Sequence, residues 1–451
     1  MVTIESNGVE NYNSKMLFVY SPKITPRLKY IFDHIFDVVL GITLQYTSSK
    51  EEYINCTTEK INYSTEKILP QELFFESTPL LFEKGLNSIE IEITKWENNI
   101  AFFPTSNQSA IPFDFFAASF YLISRYEEYL PHKRDIFDRY EAAESLAYQH
   151  NFLHKPVVDY WIQKIKEITL QHFPEINFKA RKYSFISSID IDHAYSYLGK
   201  GITRNAAGFF KSLLELNSHD IRERFKVLSG IEKDPYDTFD KQLEIQHKYN
   251  LSLIYFFLVG DYDLHDKNIS IHNRRFQSLI KSMADNALVG IHPSFASNKN
   301  PEKIKIELQR LSHLLHREIH ISRQHFLKLK FPDTYRNLIE YEIREDYSMG
   351  YASDIGFRAG TSNSFYFYDL EKEMETSLKV HPFAVMDATL KYYMRVQPSK
   401  VMEIVRPIIN EIKNTNGTFI LLWHNEAFSG QKHWKGWENL YEDVVKEAVS
   451  N

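Results

Sequence analysis

Hydrophobic and polar positions follow two rhythms along this chain, and the change comes near residue 183. Before it, short apolar runs such as MLFVYS (16–21) sit between polar turns. The stretch 112–130, PFDFFAASFYLISRYEEYL, places Phe115, Ala118, Leu122, Tyr126 and Tyr129 at helical spacing, which predicts one helix with a buried face. A charged loop, PHKRDIFDRYEAAES, and a second helix near 155–171 follow. Residues 1–180 therefore read as a separate mixed α/β domain, whose role the pattern does not disclose.

From residue 183 onward, short apolar runs alternate with amphipathic stretches. Runs at 183–190, 251–260, 287–292, 318–325, 346–353, 381–388 and 417–424 predict strands, and the patterns near 236–249, 273–285, 301–316, 332–343 and 398–414 predict helices. Strands alternating with helices imply parallel βαβ units. Seven such strands within residues 181–451 suit a (β/α) barrel better than an open sheet.

Composition changes this picture little. Of 451 residues, 43% are hydrophobic and 25% charged, an ordinary globular balance. A net charge of −6 argues against a nucleic-acid partner. The single cysteine, Cys56, excludes an internal disulfide and any cysteine-rich metal site, so a bound metal would be held by histidine and carboxylate. The start, MVTIESNGVENYNSK, lacks the basic and apolar regions of a signal peptide, and no run approaches the ~18 apolar residues of a membrane span. The expectation is a cytoplasmic protein without a membrane span.

Candidate chemistry lies where the predicted strands stop, because parallel βα folds build their sites at the C-terminal strand ends. Asp190 and Asp192 end the first strand, Gly260 and Asp261 the second, His292 the third and His325 the fourth. Ser353, with Arg358 close behind, follows the fifth, Asp387 the sixth and His424 the seventh. Singly, each has a plain structural reading: an aspartate can cap a helix and a lone histidine can sit satisfied in a core. Two carboxylates at i and i+2, however, share one side of an extended strand. One can then bind a metal while the other remains free as a base.

This set resembles the motifs of the polysaccharide deacetylase (NodB-homology) family, over roughly residues 183–430. SFISSIDIDHA resembles the first motif, with its base aspartate and metal-ligand aspartate, here in the spaced Asp-x-Asp form. VGIHPSFAS resembles the second through His292, but position 296, where a second histidine belongs, is alanine. GFRAGTS fits the arginine loop through Arg358, and Leu422-Trp423-His424 the final motif. The resemblance implies a distorted seven-stranded (β/α) barrel of the deacetylase type preceded by the mixed α/β domain, as in a subgroup of bacterial deacetylase-like proteins.

It further implies a metal-dependent hydrolase that removes an acyl group, in the first instance acetyl, from an N-acylated sugar or glycan. Asp192 and His292 would hold a divalent metal ion, zinc by preference, with His325 as the third ligand in place of the missing histidine. Asp190 would act as base, Arg358 would hold Asp190, His424 would protonate the departing amine, and Asp387 would orient Arg358 or His424. A non-catalytic carbohydrate-binding protein on the same barrel is the principal rival. A glycoside hydrolase using Asp190 and Asp387 would leave His292 and His325 without work. A serine hydrolase is disfavoured because no Gly-x-Ser-x-Gly elbow occurs.

Overall fold

The computed structural model describes residues 16–450. They pack as two units: one holds residues up to 85, 89–120 and 160–181, the other 86–88, 121–159 and 182 onward. The first unit is built on a parallel sheet of β1 (Leu17–Tyr20), β2 (Leu44–Thr47), β3 (Lys60–Ser64) and β4 (Leu73–Glu76), in the order β2-β1-β3-β4. β1 is buried at every position, as its unbroken apolar sequence requires of a strand covered on both faces. Its core is aromatic: Phe32 stacks on Phe116 at 3.8 Å, and Tyr63 meets both rings edge-on. β5 (Thr94–Trp96) and β6 (Asn99–Ala101) form a hairpin whose Ile100 carbonyl accepts from the buried Trp161 indole N–H.

Two expectations for this region change. The single helix over 112–130 is instead two, Phe115–Ile123 and Tyr126–Tyr129, because Arg125 between them takes the left-handed conformation (φ 56°). The turned backbone lets its buried guanidinium reach Glu127 at 2.7 Å and Glu128 at 2.8 Å. Of residues 1–180, expected as one domain, 121–159 instead pack with the C-terminal unit. Buried polar bonds fix them there, and helical periodicity carries no trace of such bonds. Arg358 donates to both carboxylate oxygens of Glu128 at 2.9 and 2.6 Å, and Asp159 accepts from Ser362 N–H and Asn363 Nδ2 at 2.9 Å each.

The second unit contains a sheet of nine strands: β7 (Ser184–Ile191), β8 (Ser252–Phe257), β9 (Leu288–Ile291), β10 (Ile321–Ser322), β11 (Glu345–Asp346), β12 (Phe365–Asp369), β13 (Met374–Val380), β14 (Val385–Met386) and β15 (Thr418–His424). Their order is β12-β13-β11-β10-β9-β8-β7-β15-β14, all parallel except β12 against β13. β13 and β14 lie towards opposite ends of that order yet are joined by only residues 381–384, so the sheet curls. Met386 of β14, Phe256 of β8 and Tyr347 after β11 consequently share one apolar cluster on its inner face.

Six of the seven expected runs hold a strand, two of them shortened to two residues, whereas the run expected over 346–353 leaves the ladder at once and meets the observed strand, Glu345–Asp346, only at Asp346. The five expected helices are Phe239–Tyr249, Arg274–Asn286, Glu302–Leu315, Asp333–Glu340 and Val401–Asn414. The β12–β13 hairpin and a helical pair, Gly201–Leu214 and Ser218–Leu228, were not anticipated from the pattern. What the fold shows is thus a mixed α/β unit around a curled, almost wholly parallel sheet.

Candidate metal centre

Strand register brings the polar strand ends to one level. Asp190 on β7 pairs with His424 on β15 and Phe256 on β8, while Ile291 of β9 lies opposite Phe257 and Ser322. Asp190 and Asp192 turn to the same side because side chains alternate along a strand, and the intervening Ile191 is fully buried. His292 follows β9 directly, and His325 lies three residues beyond β10.

Asp192, His292 and His325 form a group whose ligand atoms all lie within 4.8 Å of one another. His292 Nε2 is 3.2 Å from Asp192 Oδ1, and His325 Nε2 is 3.6 Å from Asp192 Oδ2. The other nitrogen of each ring is committed. His292 Nδ1 lies 2.6 Å from the Arg323 carbonyl, which can only accept, so Nδ1 carries the proton. His325 Nδ1 is 2.8 Å from the Asp266 carboxylate, itself fixed by the N–H groups of Phe295 and Ala296 at 2.8 and 3.1 Å.

A neutral imidazole so oriented presents its Nε2 lone pair. Two such lone pairs then face a carboxylate whose Oδ1 is buried and, among the described residues, has no hydrogen-bond partner. Acceptors converging without a donor need either protons or a cation between them, and the backing of each ring by a carbonyl or carboxylate is the usual support of a metal-bound histidine. The donor set fits a divalent metal. Metal-free, the same geometry favours protons. Burial works against charge at both groups, but mutual attraction prevails, raising the His325 pKa to about 9 and holding Asp192 well below the usual carboxylate range.

Asp190, 2% exposed, is held from behind by Arg323, whose Nη1 donates to Oδ1 at 2.8 Å while Nη2 donates to Ser188 Oγ at 2.8 Å. The guanidinium also lies 4.4 Å from the centroid of Phe256. Asp190 Oδ2 is left facing His292 Nε2 at 3.8 Å. The arginine that positions Asp190 is therefore Arg323, and the expected role of Arg358 does not hold. Arg358 is 2% exposed and spent on Glu128 and the Gly350 carbonyl. Its loop is a structural latch: Gly356 has φ 118°, and any Cβ there would meet the Leu153 carbonyl at 2.4 Å.

His424 faces the centre with Nε2 3.9 Å from Asp192 Oδ2, and its Nδ1 bonds Asp387 Oδ1 at 2.7 Å. Asp387 is the orienting partner of His424 and is itself fixed by the N–H groups of His424 and Ala388. Burial would strip the His424 proton, but Asp387, reinforced by Asp192 and Asp190, outweighs it and raises the pKa to about 10.

These groups open into a cavity of about 280 Å³, walled by Phe326, Met386, Tyr392, Tyr393 and Trp434, with Arg139 at its edge. Arg139 comes from the 121–159 segment and is secured by Asp135, the Phe326 carbonyl and Tyr393 OH. Glu426 also lines the cavity, its pKa pushed up to about 7, chiefly by burial and then by Asp192 and Asp387 against the pull of His424. Sequence reading missed Asp266, Arg323, Arg139 and Glu426. Arg323 and Glu426 each lie two residues from a chosen histidine, so scanning the neighbours of strand ends would have found them. Nothing in the sequence marks Asp266 or Arg139.

Residues 17–174 match the family model described as a family of unknown function, DUF7033. No curated protein matches the chain. Among solved structures, a candidate polysaccharide deacetylase from Mycobacterium smegmatis is similar at 11% identity, over 60% of this chain and 86% of that one, with a TM-score of 0.38. The PuuE allantoinase is similar at 8% identity over 59% and 85%, with a TM-score of 0.38. A CE4-family pseudoenzyme from Bacillus anthracis is similar at 9% identity over 59% and 62%, with a TM-score of 0.28. These likenesses are distant, at 11% identity or less.

Proposed function

We propose that this chain is a metal-dependent carbohydrate deacetylase, a hydrolase that cleaves the amide of an N-acylated, in the first instance N-acetylated, sugar or glycan, and we read its curled sheet as a (β/α) barrel of the deacetylase type. The observation that carries the proposal is the convergence of Asp192, His292 and His325 between two further groups with opposite proton duties, Asp190 and His424. A divalent ion held by those three, zinc by the nitrogen–oxygen donor set, would supply Lewis-acid polarisation of the amide carbonyl and a more acidic water. Asp190 takes the water's proton at Oδ2, since Oδ1 is occupied by Arg323. His424, protonated at Nε2 and steadied at Nδ1 by Asp387, gives a proton to the departing amine nitrogen. The aromatic walls of Tyr392, Tyr393 and Trp434 offer flat apolar faces suited to a sugar ring.

The test combines metal analysis with release of acetate from N-acetylglucosamine oligomers. Asp190→Asn should abolish release while bound metal is retained, and His292→Ala should lose both. Unchanged metal content and activity in His292→Ala would refute the assignment. A wild-type protein that binds metal and glycan without releasing acetate would favour the non-catalytic carbohydrate-binding reading.

A further inference from the structure

The helical pair that follows β7 wears its apolar side chains on the outside. In Gly201–Leu214 and the turn after it, Ile202 is 89% exposed, Phe210 64%, Leu214 85% and Leu216 87%. Phe225 and Leu228 of the second helix and Ile231 beyond it are exposed as well. Between the helices lies an apolar cleft of about 610 Å³, walled by Ile202, Phe209, Ile221, Phe225 and Leu228. Large apolar groups scattered singly over a surface need no explanation, but a contiguous set of this kind marks an interaction face.

Charge identifies the partner. Residues 200–216 contain Lys200, Arg204 and Lys211 against a single acidic residue, Glu215, which lies 3.8 Å from Lys211, in a chain of net charge −6. In the second helix the acidic side chains Asp220 and Glu223 are buried, accepting from Tyr197 OH at 2.7 and 2.5 Å, whereas Arg222 stays at the surface. The exposed face is thus apolar and predominantly cationic. The pair is anchored to the unit that carries the metal centre: Arg204 donates to the carbonyls of Lys267 and Asn268, in the loop that also supplies Asp266. No helix among the described residues is long and apolar enough to cross a membrane, so this face would lie on a bilayer and not span it.

We infer that the helical pair 201–228 seats the protein on an anionic lipid bilayer, with its phenylalanines and leucines entering the headgroup boundary and Lys200, Lys211 and Arg222 meeting lipid phosphates. An amphipathic helix with apolar and basic residues gains on both counts, and its binding weakens as salt screens the charges.

Co-sedimentation of the full chain with lipid vesicles tests this. The wild type should pellet with vesicles of equal parts phosphatidylglycerol and phosphatidylcholine, pellet far less with phosphatidylcholine alone, and be partly released by added salt. The double variant Phe210→Glu, Leu214→Glu alters two exposed positions. Its partition should fall about tenfold or more, with circular dichroism and metal content unchanged. Equal binding by variant and wild type, or none by the wild type, would overturn the inference. So would a wild-type dimer in sedimentation velocity that the same variant makes monomeric without any vesicle binding, since the face would then belong to a second copy. Acetate release from a soluble oligomer stays the same under either outcome, which keeps this test separate from that of the catalytic reading.

Discussion

His424 and His292 each end an apolar run and look alike in sequence, yet the group behind each ring gives them different work. His292 is backed by a neutral carbonyl, which fixes a tautomer without adding charge. His424 is backed by the fully buried carboxylate of Asp387, which stabilises an imidazolium. The pKa of about 10 is raised above the ordinary value near 6.5, so the stabilisation is complete below about 6.5 and is lost as pH climbs through about 10. In metal-free protein followed by imidazole NMR, His424 should stay protonated beyond about pH 8. Asp387→Asn should move that titration down by a unit or more, and acetate release should fall in parallel. An unmoved titration in the variant would remove Asp387 from its assigned role.

At the scale of elements, the loop after β11 and the segment 121–159 are held together by buried charges. Attraction to Arg358 and Arg125 overcomes the cost of burial and lowers the Glu128 pKa to about 2. Because this folded pKa lies below the unfolded one, the contribution is present above about 4.5 and disappears as pH falls through about 2. Glu128→Gln leaves Arg358 buried without its counter-charge and should destabilise the protein by about 3–5 kcal/mol near neutral pH. The deficit should narrow as the medium is acidified towards about pH 3, measurable by urea unfolding at both conditions. A loss below ~1 kcal/mol near neutral pH would mean the pair is not needed to hold these elements.

For the whole molecule, a site assembled from β7, the residue after β9 and the loop after β10 exists only when the sheet is formed. A metal bound there binds the folded state alone, so its binding adds directly to folding stability. Zinc at about a hundred times its dissociation constant should contribute about 2.7 kcal/mol and raise the thermal midpoint by several degrees. Chelation should reverse the rise and His292→Ala should abolish it. An unchanged midpoint with zinc in excess would count against a metal centre at these residues.

The chain's periodicity was enough to locate the βα repeats after residue 183, because alternating apolar runs record which faces are buried. Polar residues stopping those runs likewise marked Asp190, Asp192, His292, Asp387 and His424, since the ladder's register carries strand ends to one level. Partnership between distant charges left no such record. That Arg323 and not Arg358 holds Asp190, that Glu128 claims Arg358, and that Asp266 stands behind His325 are matters of side chains meeting across 133, 230 and 59 residues. A buried guanidinium must find a carboxylate, but periodicity cannot say which one, because local pattern encodes burial and only the closed tertiary packing sets the distances between charges.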